Sequence, residues 1–514
     1  MSFSEVVRLF RKQNVQDIYE LSPLQKGMLF HYLQDPKSAA YFEQTTFLLE
    51  GHIDLTCLRA SFQKLVERHD VFRTIFLYQK IKQPMQVVLK KRKADLFFAD
   101  LSNLPADDKK QCIREYRRND RKNQFDLSRD QLIRLALFRT GLNQYQMIVS
   151  FHHILMDGWC LGLVLHDLFT IYRSLRKGEE VPPRKAPPYR TYIRWLKEQD
   201  EEQARSFWRE YLRGYEEPVQ LADAVPSSPE PSYALGEHHL VLSTKETERL
   251  KRLASRYQVT FNTIIQAAWG ILLQKYCQTN DVVFGSVVSG RPAEIPNVEQ
   301  IVGLFINTVP VRVKCHEQQT FVELLQQLKK AALAAEPYHY LSLADIQSQS
   351  LLTSASDLVN HLLAFENYPI QDGLDQDLGF EIKDVSGFEQ TSYDLNLMVV
   401  AEDKLSIRFS YNQHRYTNRF IRQLARHFQH ILQQVCQNAS IKICEIAIVT
   451  KAEKERLLSQ YNRFNVGQLE GETVVSLLAK QVAQSPEQIA VVCGEKRLSY
   501  RELDRRANQL AHLL

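Results

Sequence analysis

The stretch Met147–Gly158, MIVSFHHILMDG, carries the most informative pattern in the chain. Its first five residues form an apolar run with the length of a buried β-strand, and the run leads directly into His152 and His153. Adjacent residues of a strand point to opposite faces of a sheet. We therefore expect one imidazole to face a cleft and the other to pack or hydrogen-bond inside the protein.

Asp157 and Gly158 follow in a turn before a helix. Asp157 could fix the local backbone or pair with a cation, and Gly158 suits an unusual dihedral angle or a close backbone approach. A histidine beside an apolar strand is often only a core residue, and a His-His-Asp set could also bind a metal ion. Because no third ligand has a helpful spacing and the two rings diverge, we expect no metal site.

Strand and helix patterns alternate on both sides of this segment. A helix is predicted directly after it, and another apolar helix lies in the second half of the chain. A proline-rich stretch, VPPRKAPP, separates the two halves. The pattern predicts two mixed α/β lobes, and its principal segments are helices at Leu161–Arg176, Tyr189–Tyr211 and Thr260–Cys277, with strands at Leu132–Arg139 and Val282–Val288.

Length, charge and cysteine usage narrow the class of protein. A chain of 514 residues predicts two or three domains, and 65 basic against 60 acidic residues give no case for a nucleic-acid binder. The N-terminus lacks the apolar run of a signal peptide and no stretch is long enough for a membrane span, so we expect a cytoplasmic protein. We expect free thiols because no CxxC pair occurs among Cys57, Cys112, Cys160, Cys277, Cys315, Cys436, Cys444 and Cys493.

The segment HHILMDG resembles the HHxxxDG signature of the condensation-domain and chloramphenicol-acetyltransferase-like superfamily. Tyr192 departs from the pattern, since it stands where an acidic residue is usual. The likeness covers about residues 15–445. Further stretches resemble condensation-domain motifs in the family's order, namely Leu21–His31, Arg68–Phe76, Tyr189–Leu196, Ile301–Val313, Ala364–Pro369 and Glu389–Leu397.

This resemblance implies a mixed α/β fold of two chloramphenicol-acetyltransferase-like lobes. The lobes would form a V-shaped pseudo-dimer with the active site in a tunnel between them. Ser485–Leu514 is similar to the beginning of an adenylation domain, with LSYREL as its first core motif, but we expect no adenylation activity. The implied divisions are an N-terminal segment 1–14, an N-lobe 15–180, a C-lobe 181–445, a linker 446–484 and a truncated adenylation start 485–514.

The resemblance implies peptide-bond formation in nonribosomal peptide synthesis. The substrates would be thioesters on the 4′-phosphopantetheine arms of an upstream donor and a downstream acceptor carrier domain, with no cofactor bound by the domain itself. The acceptor's α-amine would attack the donor carbonyl. We assign His153 as a general base, worth roughly 10²–10⁴-fold, or as a group that positions the amine.

The same resemblance assigns Asp157 to a structural salt bridge. Arg291 is the first candidate partner and Arg68 the second, because a buried carboxylate without a cation would be costly. The Gly158 amide is a candidate for the oxyanion of the intermediate. Asn307 and Thr308 would line the tunnel or satisfy backbone groups in a turn. Trp159 and Phe305 favour packing, and Trp159 is kept as a candidate tunnel contact.

The partners and the subtype remain alternatives. An amphipathic pattern over residues 3–12 is typical of a segment that docks an upstream synthetase or of a linker. The combination of LSPLQKGMLFH with HHILMDGWC favours a D-configured donor and an L-configured acceptor. An epimerization domain and a non-catalytic domain that recruits partners are the rival functions, and a heterocyclization domain is disfavoured because its Asp-type motif is absent.

Overall fold

The chain divides into two compact units, Met1–Ile448 and Val449–Leu514, which are described separately below. The predicted helix of residues 3–12 and part of the proline-rich stretch lie outside the described residues. No helix within the described ranges is long and apolar enough to cross a membrane. The computed structural model describes residues 14–35, 38–182, 187–221, 233–352, 358–366, 378–461 and 473–514.

The secondary-structure elements of the first unit alternate between strands and helices along the whole chain. The strands are β1 (Val15–Glu20), β2 (Phe42–Gly51), β3 (Thr74–Leu77), β4 (Met85–Leu89), β5 (Leu96–Asp100), β6 (Ile133–Arg139), β7 (Gln144–His152), β8 (Leu235–Val241), β9 (Asp281–Val288), β10 (Asn307–Lys314), β11 (His361–Glu366), β12 (Phe380–Phe388), β13 (Leu395–Ala401) and β14 (Leu405–Asn412). The helices are α1 (Pro23–Gln34), α2 (Leu55–Arg68), α3 (Ala106–Lys122), α4 (Gly158–Lys177), α5 (Arg190–Lys197), α6 (Glu201–Tyr211), α7 (Thr244–Tyr257), α8 (Phe261–Cys277), α9 (Phe321–Ala335), α10 (Leu343–Gln347) and α11 (Asn418–Gln437).

The first lobe is built on a sheet with strand order β12-β2-β7-β6-β5. Strand β7 is central, and its last six residues are buried because helices cover both faces of the sheet. One face packs against the apolar sides of α2 and α4. The other packs against α3, whose Ile113 contacts a small cluster with Phe138 and Ile148. The site strand is therefore held in the middle of a packed layer.

The second lobe is built on a six-stranded sheet with the order β10-β9-β11-β13-β14-β8. Helix α8 is its central helix, and its side chains from Ile264 to Leu273 are almost all buried. Helices α7, α9 and α11 complete this core. The long apolar pattern predicted at Thr260–Cys277 thus forms the helix around which the second core packs.

The two lobes share strands as well as a surface. Strand β12 comes from the second half of the chain, yet it pairs antiparallel with β2 of the first sheet. The pairing runs from Phe380 opposite Gly51 to Phe388 opposite Gln44. The segment from Ile301 to Phe305 also packs into the first core. A division of the chain at residue 180 therefore does not separate the two cores.

One predicted helix differs in the structure. The stretch Tyr189–Tyr211 forms α5 and α6 instead of a single helix. Asp200 begins the second of these, since its side chain accepts a hydrogen bond from the backbone N–H of Gln203. The N-cap signal interrupts an otherwise continuous apolar period.

The second unit is small. It contains α12 (Lys451–Tyr461), α13 (Val474–Gln484), the antiparallel hairpin β15 (Ile489–Cys493) and β16 (Lys496–Ser499), and α14 (Tyr500–Leu513). The motif LSYREL spans the end of β16 and the start of α14, where Ser499 caps the helix. These elements do not test whether the segment begins an adenylation domain.

Candidate active site

His152 is the last residue of β7 and lies inside the first lobe. It is opposite Phe42 of β2, and its side chain is buried. Its Nδ1 accepts a hydrogen bond of 3.1 Å from the backbone N–H of Ile154. Burial, together with the neighbouring His153, lowers the pKa of His152 to about 3. The ring is therefore neutral at pH 7 and holds the turn after the strand.

His153 occupies a different environment one residue later. Its backbone N–H donates to the carbonyl of Tyr41 at 2.8 Å, which extends the β2–β7 pairing by one residue. Its side chain is half-buried, and within the described residues its Nδ1 has no hydrogen-bond partner although that atom is shielded from solvent. The structure therefore makes His153, of the two, the ring with part of its surface exposed.

Asp157 is completely buried and uses both carboxylate oxygens. Oδ1 lies 3.3 Å from Nη2 of Arg291 and accepts from the Cys160 thiol at 3.2 Å. Oδ2 accepts the backbone N–H of Phe305 at 3.0 Å. The Arg291 guanidinium also donates to the carbonyls of Val298 and Ile301. These bonds tie the start of α4 to the loop before β10.

Arg68, the second partner considered for Asp157, lies elsewhere. It forms an ion pair of 3.1 Å with Asp167 of α4, and it also donates to the carbonyl of Pro182. His69 lies 2.8 Å from the other oxygen of Asp167. The cation beside Asp157 in the structure is Arg291, and Arg68 instead fixes α2 against α4.

Gly158 is the first residue of α4, and its φ is not positive. The interpretation that it serves an unusual dihedral angle is therefore wrong. Its amide belongs to the first turn of the helix, where N–H groups have no partner within the helix and carry partial positive charge. An oxyanion contact by this amide stays a prediction.

Trp159 lies against the loop that carries Arg291. Its indole N–H donates to the carbonyl of Glu299 at 3.2 Å, and the Arg291 guanidinium lies 5.7 Å from the centre of the indole. The two side chains line a cavity of about 470 Å³ with residues of the same loop. Because His153 does not line that cavity, the tunnel to His153 stays a prediction.

Asn307 and Thr308 begin β10 and are both buried. The Asn307 side-chain amide donates to the carbonyls of His339 and Leu341 at 2.8 and 2.7 Å. Its Oδ1 accepts the backbone N–H of Thr308. The Asn307 side chain is thus engaged by backbone groups, and a substrate contact by this pair stays a prediction.

Phe305 and Tyr192 pack around the buried ion pair. The Phe305 ring lies 4.2 Å from the Arg291 guanidinium and 4.5 Å from the ring of Tyr192. Tyr192 is itself buried, so the residue that departs from the family motif forms part of an apolar wall. An acidic residue there would need a partner of its own.

A group of carboxylates that was not predicted from the sequence lies beside His153. Side-chain atoms of Glu43, His153 and Glu389 all lie within 4.8 Å of one another. This spacing would permit a metal ion, but Arg408 donates to Oε2 of Glu389 at 3.0 Å and already supplies a positive charge. Glu366, at the end of β11, is electrostatically coupled to the same group. Glu366 and Glu389 lie in the stretches Ala364–Pro369 and Glu389–Leu397, which resemble condensation-domain motifs, and this resemblance could have pointed to them.

Burial shapes the ionisation of these carboxyl groups. It raises the pKa of Glu43 well above its usual range, and the charge of Glu389 adds to the shift. It also raises the pKa of Glu366 to about 7, again with Glu389 contributing. Arg408 opposes both shifts without cancelling them. Near neutral pH, Glu366 is therefore partly protonated, and the pKa of Glu43 is shifted in the same direction.

Comparisons with known proteins agree with this fold. The family model described as Condensation domain matches residues 15–458. Gramicidin S synthase 2 of Brevibacillus brevis is 41% identical over 510 residues, which are 98% of this chain. The chain spans only 11% of the length of that synthase.

Two solved structures share the architecture. The first condensation domain of the calcium-dependent antibiotic synthetase, in complex with a substrate analogue, has a TM-score of 0.70 and 20% identity, covering 85% of this chain and 100% of its own. The X-domain from teicoplanin biosynthesis has a TM-score of 0.71 and 21% identity, covering 83% of this chain and 97% of its own. At these identities the likeness concerns the fold alone. The family match over most of the chain shows that it belongs to the condensation-domain family, whose members in nonribosomal peptide synthetases form amide bonds by acyl transfer.

Proposed function

We propose that this chain transfers an aminoacyl or peptidyl group from a donor carrier thioester to the α-amine of an acceptor carrier thioester. The acceptor nitrogen forms a bond to the donor carbonyl carbon, and the carbon–sulfur bond breaks. The proton lost by nitrogen goes, through His153, to the departing thiolate. The observation that carries the proposal is the half-buried His153 at the end of β7, beside a partner ring that is buried and neutral.

The roles of the remaining site residues follow from their contacts. His152 and the Asp157–Arg291 pair hold the backbone on either side of His153 in place, and so act as positioning residues. The Gly158 amide, at the start of α4, stabilises the oxyanion.

The partners are carrier domains bearing 4′-phosphopantetheine thioesters. Similarity to long synthetases supports this, since the matching region is embedded in much larger proteins. The proposal that an adenylation domain follows in the same synthetase rests on the likeness of Ser485–Leu514 to the beginning of such a domain. Docking of an upstream synthetase by residues 1–14 and the D-donor subtype rest on the sequence alone.

A second candidate is a non-catalytic domain that recruits another protein. It is favoured by the fold-level likeness to the teicoplanin X-domain, which another solved structure contains in complex with OxyB. It is disfavoured by the presence of both histidines. An epimerization domain remains the other rival.

The deciding experiment loads the two carrier domains with defined aminoacyl groups, the donor in D and L form in turn. Mass spectrometry and chiral analysis of the carrier-bound products distinguish a dipeptide, an inverted stereocentre and no change. We expect a dipeptide, formed faster from the D-donor.

The corresponding variant is His153→Ala, which should lower turnover by about 10²–10⁴-fold without loss of the fold. His239→Ala, at an exposed position of β8, is the control and should retain wild-type turnover. Dipeptide formation by His153→Ala at the wild-type rate would refute the assignment.

A further inference from the structure

Charged side chains from both lobes meet beside His153. Glu43 comes from β2 of the first lobe, whereas Glu366 and Arg408 come from β11 and β14 of the second. Glu389 directly follows β12, the strand that crosses between the lobes. We call Glu43, Glu366, Glu389 and Arg408 the acidic cluster. It lies where both lobes meet the end of β7.

Carboxyl groups outnumber basic groups in the acidic cluster. Three carboxyl groups face one guanidinium, and Arg408 is shared further with Glu237 of β8 at 3.5 Å. Glu389 and Arg408 each expose 22% of their side chains, so the cluster is reachable from their side. A site with more acid than base, partly open, favours a cation.

Two polar atoms beside the acidic cluster indicate which kind of ligand would bind there. Oε1 of Glu43 and Nδ1 of His153 are shielded from solvent and have no hydrogen-bond partner among the described residues. Buried polar atoms are nearly always paired, and leaving one unpaired costs free energy. A ligand that donates hydrogen bonds and carries positive charge would satisfy both requirements.

We propose that Glu43 and Glu389, with Glu366 behind them, bind the α-ammonium group of the acceptor aminoacyl thioester and accept the proton that it must lose before attack. This inference rests on the proposed function. An α-amine is largely protonated at pH 7, because its ordinary pKa is about 7.7–8.0. The ammonium releases one proton to a carboxylate and so to solvent. The neutral amine then forms the carbon–nitrogen bond while the donor thiol leaves.

Ionisation of the acidic cluster agrees with this order of events. In the free protein burial and the charge of Glu389 raise the pKa of both Glu43 and Glu366, and at about 7 the pKa of Glu366 keeps that group partly protonated near neutral pH. An arriving ammonium lowers those pKa values by its charge, so a carboxylate becomes available where the amine is held. The titratable and charged groups that face Glu43 are His153, Glu366, Glu389 and Arg408, and Arg408 also pairs with Glu237.

The test is a binding measurement that requires no turnover. The probes are amide-linked alanyl- and propionyl-pantetheine analogues, which differ only in the α-amine and do not hydrolyse. Titration calorimetry on the full chain should show that the wild type prefers the alanyl probe by about 10- to 100-fold, the range for a hydrogen bond to a charged group. The preference should rise as the carboxyls ionise near pH 7 and fall above pH ~8 as the amine loses its charge.

Glu43→Gln and Glu389→Gln should each reduce this preference at least tenfold and flatten its pH dependence. Glu50→Gln is the matched control, since Glu50 lies on the same strand with 55% of its side chain exposed. Glu237→Gln is the control for Glu389, because it removes another partner of Arg408. Both controls should keep the wild-type preference.

Three results would overturn the inference. One is equal affinity of the wild type for the two probes at every pH. Another is an unchanged preference in both Glu43→Gln and Glu389→Gln. The third is loss of the preference on dialysis against EDTA with recovery on adding Zn²⁺, which would assign Glu43, His153 and Glu389 to a metal ion.

The failure of this inference can be distinguished from the failure of the proposed function. If His153→Ala abolishes dipeptide formation while the glutamine variants keep the preference, the inference alone fails. If the wild type makes no dipeptide, the proposed function fails.

Discussion

Two carboxyl groups at the HHxxxDG segment, the buried Asp157 and the partly buried Glu43, are used in opposite ways. Asp157 has both oxygens engaged, by a guanidinium, a thiol and a backbone N–H. Glu43 has an oxygen without a partner among the described residues, and its neighbours are further carboxyl groups. The first arrangement holds the fold together and the second leaves capacity for a ligand. The comparison suggests one rule: a carboxylate whose oxygens all have hydrogen-bond partners supports the fold, whereas one with an unpaired oxygen can bind a ligand.

The largest expected change in stability follows from removing the Asp157 carboxylate. Asp157→Ala leaves Arg291 buried without a counter-charge, and such changes typically cost about 3–5 kcal/mol of unfolding free energy. Urea denaturation followed by fluorescence would measure it. Asp95→Ala is the control, because its ion pair with Lys93 is exposed and should change stability by under ~1 kcal/mol. An unchanged stability of Asp157→Ala would mean that its bonds do not support the fold.

A double-mutant cycle would measure how strongly Asp157 and Arg291 stabilise each other. Arg291→Met should also destabilise the protein, since Asp157 then keeps only its N–H and thiol donors. Combining it with Asp157→Asn removes both charges. We expect a coupling energy of about 1–3 kcal/mol from the cycle. A coupling near zero would show that the two side chains stabilise the loop independently.

The carboxyl groups around Glu43 should make the stability of the protein depend on pH. Glu43 and Glu366 have folded-state pKa values above the ordinary value, so from about pH 4.3 the unfolded chain releases protons that the folded protein keeps. Their contribution to stability therefore falls as pH rises towards 7. The side chain at position 43 of the Glu43→Gln variant cannot ionise, so the stability of this variant should fall less between pH 5 and 7 than that of the wild type.

Unfolding of Glu43→Gln and of the wild type at pH 5, 6 and 7 would measure this difference. Glu50→Gln again serves as the control, because Glu50 is exposed. If Glu43→Gln and the wild type lose stability equally between pH 5 and 7, Glu43 is already ionised in the folded protein and the comparison fails.

The smallest expected change in stability comes from His361, whose buried side chain has little access to solvent. His361, at the start of β11, is 1% exposed, and neither ring nitrogen has a partner among the described residues. Burial lowers its pKa to about 4, so its contribution to stability is lost as pH falls from about 6.5 towards 4. His361→Leu should raise stability by about 1 kcal/mol at pH 7 and by more at pH 5.

Thermal unfolding of His361→Leu at the two pH values would test this, with dipeptide formation as a second readout. Turnover should stay at the wild-type level, since the buried His361 side chain has no part in the proposed reaction. If His361→Leu loses turnover but keeps the fold, the buried His361 side chain influences the reaction and this prediction is wrong.

The sequence predicted the local structure around His153 well and the long-range structure less completely. The apolar run before His152 and the helical period after Gly158 are local signals, and both elements form as expected. Strand β12 was missed because most of its side chains are exposed, which removes the alternation that marks a half-buried strand. The acidic cluster joins Glu43 to residues from the other half of the chain, and no local pattern reports such a meeting.

The strand exchange between β12 and β2 limits how this domain can be recombined. A chimaera that joins the first lobe of one synthetase to the second lobe of another would replace the edge partner of β2. The new strand would have to reproduce the register shift between Ile382 and Asp384, or the pairing would slip and turn side chains to the wrong face. A first lobe produced alone would leave the edge of β2 open to pairing with other chains. Exchange of whole domains should therefore be tolerated better than exchange of lobes.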